Sequence, residues 1–311
     1  MSEKMKILIG YDGSDCADAA LEDLGRAGLP SVASAVVISV AEVWLPPPSS
    51  YEIVEEALAE SGPTEQAEAE SPALEEARAL ALGACERLQK RFPGWEVRAE
   101  AANGSPAWGV ITRADALQPD LIVVGSQGRN ALGRFVLGSV SQKVVTEARS
   151  SVRVARGRAK ADDSPVRIVL GVDGSPASAL AVGAVGKRSW PGDTEVLVVA
   201  VDDIMSPTLI GRLMPPVTNW VGERNRRERE WAHQLVEDAA RELEAASLKA
   251  SHVVKDGDPK RELVKAAEEW EADCIFVGST GLGGRFKRFL LGSVSAAVAA
   301  RAACTVEVVR A

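Results

Sequence analysis

Residues 121–144 read LIVVGSQGRNALGRFVLGSVSQKV, and residues 274–298 read CIFVGSTGLGGRFKRFLLGSVSAAV. Each opens on four apolar residues closed by a glycine, too short for a helix but right for a strand buried on both faces. Each then crosses a glycine-rich loop to Gly-Ser-Val-Ser, which opens an apolar-periodic segment, in the first case through Val144 and Ala148. One chain therefore carries strand, glycine loop and helix start in the same order twice, the mark of a duplicated unit.

Working outward, KILIGYDGSDCADAAL from Lys6 falls opposite RIVLGVDGSPASALAV from Arg167, with Asp12 matching Asp173. Ala17, Ala20, Leu21 and Leu24 then recur at helical spacing, and Ser175-Pro176 supplies an N-cap and a first-turn proline for the matching helix. Further apolar runs at Ala35–Val40, Val97–Ala101 and Val152–Ala155 are echoed by Val196–Val201, His252–Val254 and Val306–Val309. Gly104-Ser105-Pro106 and Gly257-Asp258-Pro259 suit helix starts. Five strands per copy, separated by helices, predict an α/β fold of two tandem doubly wound parallel sheets, Rossmann-like, with strand order 3-2-1-4-5. Arg156–Pro165, RGRAKADDSP, has no apolar periodicity and reads as the linker, giving domains at 1–158 and 159–311 that pack as an internal pseudo-dimer.

A length of 311 residues suits two domains, and 46% apolar with 26% charged residues is ordinary for globular protein. The formal charge of −8 repels phosphate backbones and anionic lipid, so neither nucleic acid nor membrane is expected as a partner. The opening MSEKMKILIGYDGSD has too short an apolar stretch for a signal peptide, and no run approaches the ~18 residues of a membrane span; a cytoplasmic protein is expected. Cys16, Cys85, Cys274 and Cys304 lie far apart and read as reduced apolar fillers. The seven tryptophans read as core or loop packing, and His233 and His252 as packing or solvated residues. Ala41–Ala77, with ten glutamates and no basic residue, reads as solvated helix and loop, as do Arg224, Arg226, Arg227 and Arg229.

Ligands of open parallel sheets bind beyond the carboxyl ends of the strands at the switch point. The predicted strand order sets Asp12-Gly13-Ser14 beside Gly125-Ser126-Gln127-Gly128 there. Glycines admit close approach, and the helix opening at Gly138-Ser139-Val140 offers free amides and partial positive charge to phosphate. The spacing is G-x2-G-x9-G-S; in copy two, ten residues separate Gly281 from Gly292 instead of nine.

These residues resemble the universal stress protein family, tandem type, over nearly the whole chain, through DGS, the glycine loop and GSVS in both copies. The resemblance implies ATP binding with Mg2+. It implies that Asp12 and Asp173, with Val40 and Val201, lie at the adenine and ribose end. Gly125, Gly128, Gly138, Ser139 and Val140 would hold ribose and phosphates, as would Gly278, Gly281, Gly292, Ser293 and Val294. It also implies homodimerisation, with the last strands of each copy, Val152–Ala155 and Val306–Val309, as one route.

Blander readings stand beside these. Asp12 and Asp173 could only cap turns, Ser139 and Ser293 read as N-cap residues with or without phosphate, and Arg129, Arg134, Arg285, Lys287 and Arg288 could be solvated. Ser139 occupies the lysine position of a Walker-like G-x-x-x-x-G-K-[ST], and no G-x-G-x-x-G, G-x-S-x-G or H-E-x-x-H occurs. The leading expectation is a stress-response nucleotide-binding module with no or very slow catalysis. Its alternatives are a weak ATPase, self-phosphorylation at Ser139 or Ser293, and a nucleotide-free interaction scaffold.

Overall fold

The computed structural model describes residues 4–42, 72–128, 137–156, 164–202, 217–279 and 291–310. Copy one runs β1 (Met5–Gly10), α1 (Asp15–Asp23), β2 (Ala33–Glu42), α2 (Pro72–Arg91), β3 (Glu96–Gly104), α3 (Pro106–Leu117), β4 (Leu121–Gly125), α4 (Ser139–Glu147) and β5 (Ser151–Ala155). Copy two runs β6 (Arg167–Gly171), α5 (Pro176–Gly186), β7 (Glu195–Asp202), α6 (Val217–Ala245), β8 (Lys249–Asp256), α7 (Pro259–Glu269), β9 (Cys274–Gly278), α8 (Ser293–Arg301) and β10 (Thr305–Val309). All ten expected strands are present, each longer than or level with its apolar run, except that Val172 falls just past the end of β6.

Each copy is a parallel sheet in the expected 3-2-1-4-5 order, and the two join into one ten-stranded sheet, β3-β2-β1-β4-β5-β10-β9-β6-β7-β8. The seam is antiparallel, with Arg153 directly opposite Glu307 and flanked by Val154↔Val306 and Val152↔Val308. This corrects the expectation that Val152–Ala155 and Val306–Val309 serve a second chain. Their edges are spent on each other, because a strand edge left open seeks a partner and the nearest one is tethered.

Alternation along the strands sends Ile7 and Ile9 to one face and Leu8 to the other. On the face covered by α3, α4, α7 and α8 the core is continuous across both copies, running from Leu8 and Val110 through the seam valines to Leu263 and Val298. The opposite face carries a separate core for each copy, under α1 and α2 in one and under α5 and α6 in the other.

Between those two cores the seam presents charge. Arg153 Nη1 donates to Glu307 Oε2 at 3.0 Å, with both side chains at most 2% exposed. Arg153 Nη2 donates to Asp23 Oδ1 at 3.2 Å, and Arg188 Nη1 donates to Glu307 Oε2 at 2.9 Å and to the Ala27 carbonyl at 3.0 Å. Burial opposes a charge on Arg153, but the Asp23 and Glu307 carboxylates hold its pKa above the ordinary guanidinium value. Arg26 adds a second bridge from copy one to Asp273 and the Pro165 carbonyl of copy two.

Candidate functional site

At the carboxyl end of β1 the chain turns through Asp12-Gly13-Ser14. Asp12 Oδ1 accepts from the Ser14 amide at 3.0 Å and from Ser14 Oγ at 2.6 Å, and Ser14 Oγ in turn accepts from the Ala17 amide, capping α1. Gly13 has φ +75°, which the turn requires and an L side chain resists. At the end of β4, a Cβ on Gly125 would sit 2.7 Å from the Cys16 carbonyl carbon, so this glycine lets α1 lie against the strand end. Ser141 Oγ donates to the Gly125 carbonyl at 2.6 Å and ties the first turn of α4 to the same point.

The amide of Gly138 donates to the Ser126 carbonyl at 2.8 Å, and its φ and ψ of −65° and 153° make it the N-cap of α4. This corrects the reading of Ser139 and Ser293 as N-caps: the caps are Gly138 and Gly292, and both serines are the first helical residues. The cause is crowding. A Cβ at Gly138 would lie 3.2 Å from Gln127 Cα and 3.3 Å from the Ser126 carbonyl oxygen. Among the described residues no side chain caps either helix, which leaves first-turn amides with donor capacity.

These pieces enclose a cavity of about 750 Å³ whose lining includes all seven copy-one candidates, Asp12, Val40, Gly125, Gly128, Gly138, Ser139 and Val140. Gly128 approaches Asp12 so closely that a Cβ there would meet Oδ2 at 2.9 Å. Val40 and Val110 from one face of the sheet and Leu80 from the other make its lining apolar in part, while Glu42, Glu76 and Lys143 line its polar parts. Tyr11 also lines it, but its hydroxyl donates to Asp18 Oδ1 at 2.7 Å, and burial together with that bond pushes its pKa up to about 12. It serves as a neutral wall, not a base.

Copy two repeats the backbone frame. The Ser175 amide donates to Asp173 Oδ1 at 3.0 Å, Ser175 Oγ caps α5, and the Gly292 amide donates to the Ser279 carbonyl. A Cβ on Gly278 would strike Ala177, as one on Gly125 strikes Cys16. Val201 and Val294 are half-buried against the shared core, and Ser293 is exposed at the start of α8. Gly281 lies outside the described residues, as do Arg129, Arg134, Arg285, Lys287 and Arg288. The side chains around this frame differ from copy one. The buried positions Ala77, Ala81, Ala84 and Leu88 of α2 correspond in spacing to Ala232, Val236, Ala239 and Leu243 of α6, which sets Trp231 opposite Glu76. The Trp231 ring lies against Gly174, where a Cβ would be only 2.4 Å from it.

The universal stress protein family model matches residues 4–156 and again 166–310. The chain belongs to the universal stress protein family. A universal stress protein of Mycolicibacterium smegmatis is 34% identical over 220 residues, covering 70% of each chain. One of Mycobacterium tuberculosis is 30% identical over 305 residues, covering 94% of this chain and 90% of the relative. The crystal structure of a universal stress protein from Archaeoglobus fulgidus covers 98% of both chains with a TM-score of 0.60 at 20% identity, a likeness of fold.

As a universal stress protein the chain has a cavity wall that sequence reading only partly foresaw. Glu76 belongs to the glutamate-rich segment read as solvated, and it is exposed; it also lines the open cavity, because the start of α2 lies over the end of β2. Lys143 lies five residues beyond the Gly138 motif and was not singled out. Trp108 and Trp231 correct the reading of tryptophans as packing, since each is 50% exposed, whereas Trp95 is buried with its Nε1 donating to the Pro30 carbonyl. His233 and His252 are both exposed, on α6 and β8. Among the described residues no cluster of three His, Cys, Asp or Glu could hold a metal, and no helix is long and apolar enough to cross a membrane.

Proposed function

We propose that the copy-one crevice binds ATP and that the chain is a nucleotide-responsive stress-response module, not an efficient enzyme. The observation that carries this is the glycine-capped start of α4, whose amides open into the same cavity as Asp12, Gly128 and Val40. Its volume of about 750 Å³ lies within the range of cofactor pockets. The apolar wall suits a base, Asp12 suits a ribose hydroxyl, and the helix start suits phosphate. Mg2+ fits as a companion of the phosphates, since it usually takes only one or two protein carboxylates and Asp12, Glu42 and Glu76 supply oxygens there. When bound it neutralises phosphate charge.

Binding is favoured over turnover because Asp12 Oδ1, a carboxylate oxygen at the cavity, is engaged by the Ser14 amide and hydroxyl. Copy two, with Asp173 and Gly292 in the same frame, is a second candidate site, and titration to one or to two equivalents of nucleotide separates the two readings.

Gly138→Asp tests the proposal. Aspartate is a favourable N-cap, so its carboxylate would satisfy the α4 amides itself and repel phosphate, but its Cβ must press on Gln127 and the Ser126 carbonyl, and Gly138→Ala, which meets the same crowding without the charge, is the control. The expected result is Mg-ATP binding by wild type in calorimetry, a loss of tenfold or more in Gly138→Asp, and a smaller loss in Gly138→Ala, with ligand-free melts of the two variants measuring the shared cost of the Cβ. Wild type that takes up no Mg-ATP at millimolar concentration defeats the reading and leaves the scaffold alternative. Phosphate release that is measurable in wild type and abolished in Gly138→Asp would instead favour the weak ATPase.

A further inference from the structure

Lys143 stands one helical turn after Ser139 on the same face of α4, and both line the cavity. The lysine side chain lies along the cavity wall, and the first turn of α4, one helical turn away, is within the reach of an extended lysine. Its Nζ rests 4.1 Å from the centroid of the Trp108 ring on α3 and 3.9 Å from the Glu147 carboxylate. Both contacts are soft. Trp108 is half exposed, and the Lys143 and Glu147 side chains are 35% and 40% exposed, conditions under which cation–π and i,i+4 pairs contribute little. A cation so held readily exchanges its partners for phosphate oxygens, which give stronger charge-assisted hydrogen bonds.

The repeat supplies an internal comparison. Aligning GSVSQK with GSVSAA sets Ala297 at the position of Lys143, and aligning GSPAWG with GDPKRE sets Arg261 at that of Trp108. The lysine and its aromatic rest therefore belong to copy one alone, while the turn, the strand-end glycine and the glycine cap belong to both.

We propose that Lys143 makes the copy-one crevice selective for a nucleoside triphosphate over a monophosphate, leaving the Trp108 ring to meet the terminal phosphates. This rests on the nucleotide reading above. A single phosphate on the helix start is balanced by the amides there; the further phosphates bring charge that needs a side-chain cation, and Lys143 is the cation the described lining provides.

The experiment is calorimetric titration of the full chain with Mg-ATP and, separately, with AMP, for wild type, Lys143→Met and Lys143→Arg. Lys143→Met is expected to weaken Mg-ATP about tenfold while AMP stays within twofold, and Lys143→Arg is expected to restore most of the loss. In wild type the fluorescence contributed by Trp108, obtained by difference from Trp108→Phe, should change with Mg-ATP and not with AMP. Equal loss of both ligands in Lys143→Met would reduce the lysine to a structural part of the wall, and unchanged Mg-ATP binding would overturn the proposal while leaving the site intact. Binding of neither ligand by wild type would bring down the nucleotide reading and this inference with it.

Discussion

Glu307 is the carboxylate on which the seam between the two copies turns, and Glu307→Leu isolates its contribution. It is 1% exposed and is shared by Arg153, 2% exposed, and Arg188, 10% exposed. Removing it leaves Arg153 with Asp23 and Arg188 with the Ala27 carbonyl, but with one buried positive charge more than the carboxylates can balance. Breaking a buried pair in this way costs about 3–5 kcal/mol, whereas Glu96→Gln, which breaks a pair to Lys4 with side chains 60% and 48% exposed, should leave the urea midpoint close to that of wild type. Urea denaturation of both variants at neutral pH reads the difference. Because replacing the whole cluster removes the desolvation penalty along with the attraction, Arg153→Met, Arg188→Met and Glu307→Leu combined with Asp23→Asn, which takes away the other carboxylate charge paired with Arg153, should recover most of the loss. A Glu307→Leu variant within ~1 kcal/mol of wild type would refute the claim that this charge cluster is dry and shared.

Two further outcomes follow from the same coordinates. Gly125→Ala must drive a methyl into the α1 backbone at Cys16 and should cost about 1–3 kcal/mol, while Gly183→Ala, with nothing within 4 Å of the new Cβ inside α5, should gain about 0.5–1 kcal/mol; thermal melts that place the two variants in the opposite order would show that the α1 approach is misplaced. Burial pushes the Cys304 thiol up to about 12 and raises that of Cys274 as well, so at pH 8 the Cys304 thiolate fraction is only ~10⁻⁴ and iodoacetamide should modify neither before denaturant is added. Mass spectrometry showing rapid native labelling of Cys274, which is 1% exposed, would contradict its burial, and rapid labelling of the partly buried Cys304 would contradict its raised pKa.

The layer structure was legible because parallel strands buried on both faces leave uninterrupted apolar runs, and Ile7–Gly10 or Leu121–Val124 admit no other reading of comparable economy. The strand order came with the doubly wound class, where a 3-2-1-4-5 arrangement sets the first and fourth strand ends side by side, and each copy has it. The seam was harder. Val152-Arg153-Val154 and Val306-Glu307-Val308 each place a charge in the middle of a buried strand, and such a charge demands a partner. The opposite signs were visible in the sequence, but nothing local says that the partner lies in the other copy. The caps at Gly138 and Gly292 were misassigned because serine outranks the neighbouring glycine as a cap by propensity, while at position 138 the crowding against Gln127 and Ser126 favours a residue without a Cβ. Glu76 and Lys143 reach the cavity through the way α2 and α4 lie against the sheet, geometry that local periodicity does not carry.

The comparison between copies also fixes what the shared motif is worth. Asp-Gly-Ser caps α1 and α5 through the same serine bonds, and each strand-end glycine makes room for a helix that would collide with a methyl. Ser141 and Ser295 anchor the helix starts on carbonyls of the strand end and loop. Every one of these tasks would need doing in a copy that never met a ligand. Their presence in copy two therefore argues for the fold of copy two and leaves its ligand undecided. Discrimination falls to the positions the fold leaves free, where copy one has Lys143, Trp108 and Glu76 and copy two has Ala297, Arg261 and Trp231. Replacing a lysine by alanine and an acidic rim residue by an indole changes the charge and the volume offered to a ligand while the main-chain frame stays the same. If nucleotide binding is confined to copy one, the differences that can cause it are those three exchanges and the extra residue between Gly281 and Gly292, and transplanting the three side chains into copy two measures how much of the difference they carry.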